Sequence, residues 1–279
     1  MVFLFSHMNL SADQPIGVFD SGVGGLTVAH AIKSLLPEEK IIYFGDTFHL
    51  PYGDKSRESV RYYSSKISDF LLEKSCKTVL IACNTASASA FEEVTQHVGD
   101  RAIVLNVVDP VVKDLCAKDR TGRVGVIGTK GTINSGTYED KIIKGAPYTE
   151  VVSKATPLLV PMIEEGFIDD GISTSIIHAY ISDERFKGIH TLILGCTHYP
   201  IIRKQIEEFF NHEVDVIDSG HLVAAELKRI LKEKGLLNPD NGSDKHEFYV
   251  SDFTEFFEKI SRLFFEEEVR LEKLDFWVT

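Results

Sequence analysis

The sequence predicts an α/β protein of two pseudo-symmetric lobes. Each lobe is expected to be a three-layer α/β/α sandwich around a mainly parallel sheet, and the two lobes face each other across a cleft. Two observations predict this fold. Short apolar runs of strand length alternate with longer amphipathic stretches along the 279 residues, which is the pattern of βα units. Segments of the first half then recur in the second half, about 110 residues later.

Each half is predicted to hold four strands separated by three helices. In the first half the strands are Ile16–Asp20, Ile41–Gly45, Val79–Cys83 and Ile103–Val108, and the helices are Leu26–Leu36, Ser56–Lys74 and Ser87–Val98. In the second half the strands are Val124–Gly128, Tyr148–Ser153, Leu192–Cys196 and Val214–Ile217, and the helices fall near Tyr138–Lys144, Gly171–Tyr180 and Ile201–Phe210. The tail from His221 is predicted to be mainly helical, with one strand at Glu247–Val250.

Three pairs of segments indicate that the two halves are duplicated. They are Gly17–Gly22 with Gly125–Thr129, Thr78–Cys83 with Thr191–Cys196, and Asn106–Pro110 with Asp215–Ser219. A single match among apolar strands would mean little, because such strands look alike. Three matches in the same order, at a nearly constant offset, favour two related lobes.

Composition and charge exclude several classes of function. Thirty Lys and Arg against 42 Asp and Glu leave a net charge of −12, so no nucleic-acid partner is expected. The apolar runs are too short to span a membrane, and Met1–Phe5 has no cationic lead, so we predict a cytoplasmic protein without a membrane segment. The four cysteines show no zinc-ligand spacing, and no metal is expected.

Two of the cysteines occupy matching positions. Cys83 and Cys196 each end a predicted strand and lead into a polar turn, Asn84–Ser87 in the first half and Thr197–Pro200 in the second. Ligands of parallel α/β sheets bind outside the carboxyl ends of the strands. A helix amino terminus at each turn would also lower the pKa of the thiol. Packing gives no reason to repeat a cysteine there, so both are candidate functional residues.

Two facing thiols are compatible with three chemistries. They could form a redox disulfide, although their separation in sequence is not the compact spacing of redox pairs. One could be a nucleophile with His198 as its base, which leaves the other without a role. The third chemistry uses both: one thiolate removes a proton from carbon and the opposite thiol returns one to the other face, as in a racemase or epimerase.

Further candidates surround the cysteines. The glycine-rich turn Phe19–Gly25 lets backbone N–H groups approach a carboxylate, and its Asp20 either caps a helix or acts on the ligand or a thiol. Pro51–Gly53 is either a simple turn or part of the cleft wall. His198 is either a structural imidazole or a proton partner, and Glu165 is a weaker candidate.

At these residues the sequence resembles the glutamate racemases of the cofactor-independent amino-acid racemase family. The matching motifs span about residues 15–220. They are Phe19–Thr27, Tyr43–Thr47, Pro51–Gly53, Ala82–Ser87, Val126–Thr129, Leu194–Pro200 and Ile217–Ser219.

The resemblance implies an isomerase that interconverts L- and D-glutamate without cofactor or metal and supplies D-glutamate for peptidoglycan synthesis. Cys83 would serve the D-glutamate face and Cys196 the L-glutamate face, assisted by Asp20 and His198, with Glu165 as a further acid–base helper. The substrate would be bound by Asp20, Ser21, Tyr52, Gly53, Asn84, Thr85, Thr197 and His198. The implied domains are 1–108 plus 218–279, and 109–217. A homodimer is one option for the assembly.

The chain departs from the family pattern at two places, with Thr156-Pro157 where Cys-Pro is common and Asn106 where glycine is usual. Neither departure touches the proton chemistry. Two other functions stay open at this point. One is a racemase of aspartate or another small amino acid, and the other is a two-lobed protein that binds an amino acid without catalysis and would need no paired thiols.

Overall fold

The fold was analysed in a computed structural model that describes residues 10–118, 122–239, 246–253, 255–264 and 271–277. Its strands are β1 Ile16–Asp20, β2 Ile41–Gly45, β3 Thr78–Ile81, β4 Ile103–Asn106, β5 Arg123–Gly128, β6 Glu150–Ala155, β7 Thr191–Gly195, β8 Asp215–Ile217, β9 Glu247–Val250 and β10 Leu271–Lys273. Its helices are α1 Leu26–Leu35, α2 Arg57–Glu73, α3 Asn84–Val98, α4 Val108–Ala117, α5 Lys130–Asn134, α6 Thr137–Gly145, α7 Leu159–Glu164, α8 Gly171–Ile181, α9 Arg203–Phe209, α10 Gly220–Glu233 and α11 Glu255–Phe264.

The strands form two separate parallel sheets, which confirms the predicted α/β fold. The first sheet has the order β10-β9-β2-β1-β3-β4, and the second has the order β6-β5-β7-β8. The run β2-β1-β3-β4 therefore matches the whole second sheet, strand for strand. This common order agrees with the duplication that the sequence repeats indicate, and it gives β3 and β7 the same place in their sheets.

Helices cover both faces of each sheet and bury four apolar clusters. Helices α1 and α10 pack together against one face of the first sheet, and α2 and α3 pack on the other. The chain passes between the two sets of clusters at Val107–Val108 and again between Ile217 and Val223. This packing supports the division into 1–108 plus 218–279 and 109–217, whose limits stay a prediction.

The structure differs from the predicted elements at several places, and at one of them a polar side chain sets the boundary. The predicted strand Ile103–Val108 ends at Asn106, whose Oδ1 accepts hydrogen bonds from the Val108 and Asp109 N–H groups at 2.9 Å and so caps the unpredicted helix α4. Helices α5 and α7 and strand β10 were not predicted either. Met1–Phe5 lies outside the described residues. Within the described ranges, no helix is long and apolar enough to cross a bilayer.

Candidate active site

A small cavity lies where the carboxyl ends of the two sheets meet. Its volume is about 20 Å³, which is room for about one water molecule. Both cysteines line it, one from each sheet. The lining residues are Ser21, Leu50, Pro51, Tyr52, Gly53, Cys83, Asn84, Thr85, Thr129, Val160, Cys196, Thr197 and His198. The structure therefore brings together nine of the eleven residues that the sequence and the resemblance single out.

Cys83 lies at the junction of β3 and α3. It is the N-cap of α3, and its Sγ accepts a hydrogen bond from the Ala86 N–H at 3.5 Å. Its thiol also lies 3.7 Å from the Ser21 hydroxyl oxygen, to which it donates. Burial, reinforced by the Asp20 carboxylate, raises the pKa of the Cys83 thiol to about 12. The lowered pKa predicted for this position is therefore wrong, because desolvation outweighs the helix amino terminus.

Cys196 follows β7 and has an imidazole as its neighbour. Its Sγ lies 3.7 Å from His198 Nδ1, and the other ring nitrogen of His198 bonds Glu164 Oε1 at 2.5 Å. Burial alone would lower the pKa of His198, but Cys196 and Glu164 reverse this and raise it well above the ordinary value. The ring lies between the Cys196 sulfur and the Glu164 carboxyl group, and both neighbours favour its protonated form.

Asp20 lies behind the cavity wall and links the two lobes. Its Oδ2 accepts hydrogen bonds from the Gly22 and Gly25 N–H groups at 3.0 and 3.1 Å, so it caps the glycine-rich turn. Its Oδ1 accepts one from the Thr197 hydroxyl at 3.4 Å, across the cleft. Burial raises the pKa of this carboxyl, against the opposing effect of His198. The helix-cap role expected from sequence is wrong, because α1 begins after Gly25 without a side-chain cap and Asp20 caps the preceding turn instead. Its role toward the ligand or a thiol stays a prediction.

Gly24 marks the closest approach of the turn to the second lobe. A Cβ at this position would overlap Thr197 Oγ1 and His198 Nδ1. Gly53 is in a similar position, because its Cβ would lie 2.6 Å from Thr129 Cβ. Glycine at these two positions lets the lobes close around the cavity.

The remaining polar groups come from α3 and the β5–α5 turn. Asn84 Oδ1 accepts a hydrogen bond from Tyr138 at 2.7 Å, whereas its buried Nδ2 has no partner among the described residues. Thr85 Oγ1 bonds Thr129 Oγ1 at 2.8 Å and Thr132 Oγ1 at 3.2 Å. Asn84, one of the lining residues, thus carries an unpartnered amide donor among the described residues, and threonines of both lobes line the cavity beside it.

Comparisons with known proteins agree with this geometry. The model of the Asp/Glu/Hydantoin racemase family matches residues 25–227. This chain belongs to that racemase family. The glutamate racemase of Chlorobaculum parvum is 42% identical over 259 residues, which cover 93% of this chain and 95% of that protein. The glutamate racemase of Geobacter metallireducens is 43% identical over 249 residues, covering 89% and 92%.

A solved structure of the same racemase family shares the fold. The crystal structure of glutamate racemase from Francisella tularensis in complex with D-glutamate matches with a TM-score of 0.88 and 38% sequence identity. The match covers 96% of this chain and 100% of that chain. The resemblance stated from the sequence motifs is therefore confirmed.

Two of the predicted site residues do not line the racemase cavity. Asp20 lies behind it, as described above. Glu165 is exposed at the end of α7, and Glu164 rather than Glu165 contacts His198. The structure thus brings the neighbouring residue, not Glu165, to His198, because successive positions at a helix end point about 100° apart.

Sequence reasoning also missed cavity residues in this racemase. Leu50, Thr129 and Val160 line the cavity without having been predicted as site residues. A signal for Thr129 existed, since it stands in the repeat opposite the Asp20–Ser21 turn. No comparable signal existed for Val160, which reaches the cavity through the unpredicted helix α7.

A larger cavity, of about 540 Å³, lies away from the cysteines. It is bounded by α2 and the Phe276–Trp277 segment and includes Lys66 and Arg101. Size alone would favour this cavity as the active site of a racemase. The chemistry favours the smaller one, because only that one, among these two, contains thiols.

Proposed function

We propose that this chain is a glutamate racemase, an isomerase that interconverts L- and D-glutamate by two-base proton transfer. A single observation carries the proposal: Cys83 and Cys196, one from each sheet, line the same small cavity. The comparisons support glutamate as the substrate, since the relatives reported above are glutamate racemases. The Francisella relative was solved in complex with D-glutamate. The D-glutamate formed would serve peptidoglycan synthesis.

The reaction balances with one thiolate and one thiol. The thiolate takes the α-proton, so that an S–H bond forms, the C–H bond breaks and the electron pair stays on the α-carbon and its carboxylate. The thiol on the opposite face then gives its proton to the carbon and becomes the thiolate. We assign Cys83 to the D-glutamate face and Cys196 to the L-glutamate face, following the resemblance. The two sulfurs exchange protonation states in each turnover.

The neighbours of each sulfur fit these roles. The raised pKa keeps Cys83 a thiol, ready to donate its proton. The ring of His198, bonded to Glu164, lies beside Cys196 Sγ, where its protonated form would attract negative charge on the sulfur. We therefore propose that Cys196 takes the proton of L-glutamate and that Cys83 donates the replacement. We propose Glu164, in place of Glu165, as the acidic partner of the second lobe.

Stabilisation of the carbanion is the harder task, because an α-hydrogen beside a carboxylate is very weakly acidic. Fixed donors around the carboxylate supply it, and removing one such donor typically costs about 2.7–4 kcal/mol in a transition state. Asn84 Nδ2 is a donor of this kind, since it is buried and has no other partner among the described residues. Ser21, Thr85 and Thr197 add hydroxyls, and Tyr52 and Gly53 complete the wall.

The test is a circular dichroism or coupled assay of L-glutamate with no added cofactor. The expected result is full conversion to the racemate from either enantiomer. Conversion of aspartate with a larger kcat/KM than that of glutamate would contradict glutamate as the substrate. Binding of glutamate without conversion would favour a non-catalytic binding protein. The homodimer, the cytoplasmic location and the lack of a cofactor or metal stay predictions of the sequence.

A further inference from the structure

A buried carboxylate outside the cavity joins the cavity wall to the carboxyl-terminal segment. Asp46 follows β2 and has no exposed surface. Its Oδ2 accepts hydrogen bonds from the Tyr52 hydroxyl at 2.7 Å and from His49 Nδ1 at 2.9 Å. Its Oδ1 accepts bonds from the Ser251 hydroxyl and from Trp277 Nε1, each at 2.7 Å. Each carboxylate oxygen of Asp46 therefore accepts hydrogen bonds from two donors.

The four donors come from parts of the chain that are far apart in sequence. His49 and Tyr52 belong to the loop that carries Pro51–Gly53 into the cavity wall. Ser251 follows β9, and Trp277 follows β10. One carboxylate therefore fastens the wall loop on one side and the end of the chain on the other.

Asp46 is also placed next to the chemistry. Its backbone N–H donates to the Asp20 carbonyl oxygen at 2.9 Å, so the two aspartates sit side by side at the ends of β1 and β2. Tyr52 is fully buried, and it directs its hydroxyl to Asp46. Tyr52 therefore forms part of the cavity wall, and the position of that part depends on Asp46.

Stacked rings hold the same cluster from outside. The His49 ring stacks on Tyr63 with centroids 3.8 Å apart and meets the Trp277 ring edge-on at 4.7 Å. Trp277 also packs at the edge of the apolar cluster that contains Tyr52 and Cys83. A shift of Trp277 would therefore reach Tyr52 through the shared carboxylate and the His49 ring.

We infer that Asp46 is a positioning residue for substrate binding, and that it couples the carboxyl-terminal Trp277 to the Tyr52 wall of the cavity. This inference rests on the proposed function. Charged hydrogen bonds of this kind stabilise more than neutral ones, and loss of one donor leaves a buried carboxylate oxygen under-satisfied. The wall loop then loses its fixed position, and glutamate binds more weakly.

The test compares variants that keep each ring and remove one donor. Trp277→Phe and Tyr52→Phe are each expected to raise the KM for glutamate at least about threefold, with a smaller change in kcat. The double variant should raise KM by about as much as the stronger single variant, because both substitutions act through Asp46. Tyr62→Phe is the matched control, since Tyr62 is half exposed and its ring lies 6.2 Å from Trp277.

Trp277 also supplies a direct readout, because it is the single tryptophan of the chain. Adding D-glutamate is expected to change its fluorescence emission, and Tyr52→Phe should reduce that change at saturating ligand. Thermal melts of each variant check that the fold is kept.

The failures of the two proposals are distinguishable. A parent protein that does not racemise glutamate would count against the proposed function. A racemising parent whose Trp277→Phe and Tyr52→Phe variants keep the parent KM would overturn the coupling, and so would single effects that multiply in the double variant. An emission spectrum that glutamate leaves unchanged would also overturn it.

Discussion

The two halves of the active site share a scaffold but surround their cysteines differently. β3 and β7 occupy the same place in sheets of matching strand order, and a cysteine closely follows each. Cys83 caps a helix beside Ser21 and near the Asp20 carboxylate. Cys196 lies beside His198, which is bonded to Glu164. The two halves repeat the same backbone arrangement, but the polar and charged groups around the two cysteines differ.

This difference explains how a symmetric reaction is served by an asymmetric site. The repeated strand end brings each sulfur to the wall of the same cavity, one from each sheet. The neighbours differ: burial and Asp20 raise the pKa of the Cys83 thiol, whereas Cys196 lies beside an imidazole whose own pKa is raised. Because the enantiomers have equal free energies, kcat/KM must be equal in both directions, and the asymmetry can be seen only in single steps.

The largest expected effect comes from removing either sulfur. Cys83→Ala and Cys196→Ala should each lower the rate of racemisation by about 10²–10⁴-fold or more, since each variant loses one acid–base group. Exchange of the α-proton with deuterated water distinguishes the roles of the two cysteines. Cys83→Ala should still exchange L-glutamate and Cys196→Ala should still exchange D-glutamate, as followed by NMR. Variants that both racemise at the parent rate would contradict the two-thiol mechanism.

The next effect concerns the acidic partner of His198. Glu164→Gln should lower kcat at least about tenfold, because the imidazolium loses its carboxylate. The matched comparison is Glu165→Gln, which removes the neighbouring exposed charge. Steady-state kinetics of both variants decide between the two glutamates, and a larger loss in Glu165→Gln would show that the assignment to Glu164 is wrong.

Closure of the lobes is tested at Gly24. Gly24→Ala places a methyl group against Thr197 and His198, an overpacking that typically costs about 1–3 kcal/mol. Activity should fall about tenfold, because the turn and the second lobe can no longer approach. Gly171→Ala is the control, since a Cβ there meets nothing within 4 Å. Equal activities of the two variants would mean that the contact at Gly24 does not limit closure.

The smallest effect is a pH-dependent change in stability. The pKa of His198 is raised above its unfolded value of 6.5, so the folded state binds the proton more tightly. The resulting stabilisation is fully present below that value and is lost as the pH rises through the raised pKa. The difference in Tm between the parent and His198→Gln should therefore shrink by at least about 2 °C between about pH 6 and pH 9. A constant difference would speak against a charged His198.

The sequence predicted strands β1 to β9 and the matching positions of the two sulfurs, for a physical reason. Strands buried on both faces form continuous apolar runs, and a duplicated chain repeats them, so Cys83 and Cys196 stand out by position. The short strand β10 has no such run, since it reads Leu-Glu-Lys. It forms because β9 offers a partner, which is information from a distant part of the chain.

Individual side-chain partners were harder to predict. The choice between Glu164 and Glu165 depends on where α7 ends, and one residue of error changes the face of the helix. The four donors to Asp46 come from segments that only the fold brings together. The pKa of Cys83 depended on burial, which a strand-end position does not reveal.

The small volume of the site has a practical consequence. Pockets that hold small ligands usually measure about 300–1,000 Å³, whereas this one measures about 20 Å³. This cavity is too small for glutamate, so the groups that line it must move apart before the substrate binds. Docking of candidate inhibitors into this conformation, with the protein held rigid, would reject glutamate itself. Compound screening against this enzyme should instead use conformers with the lobes apart, or a functional assay.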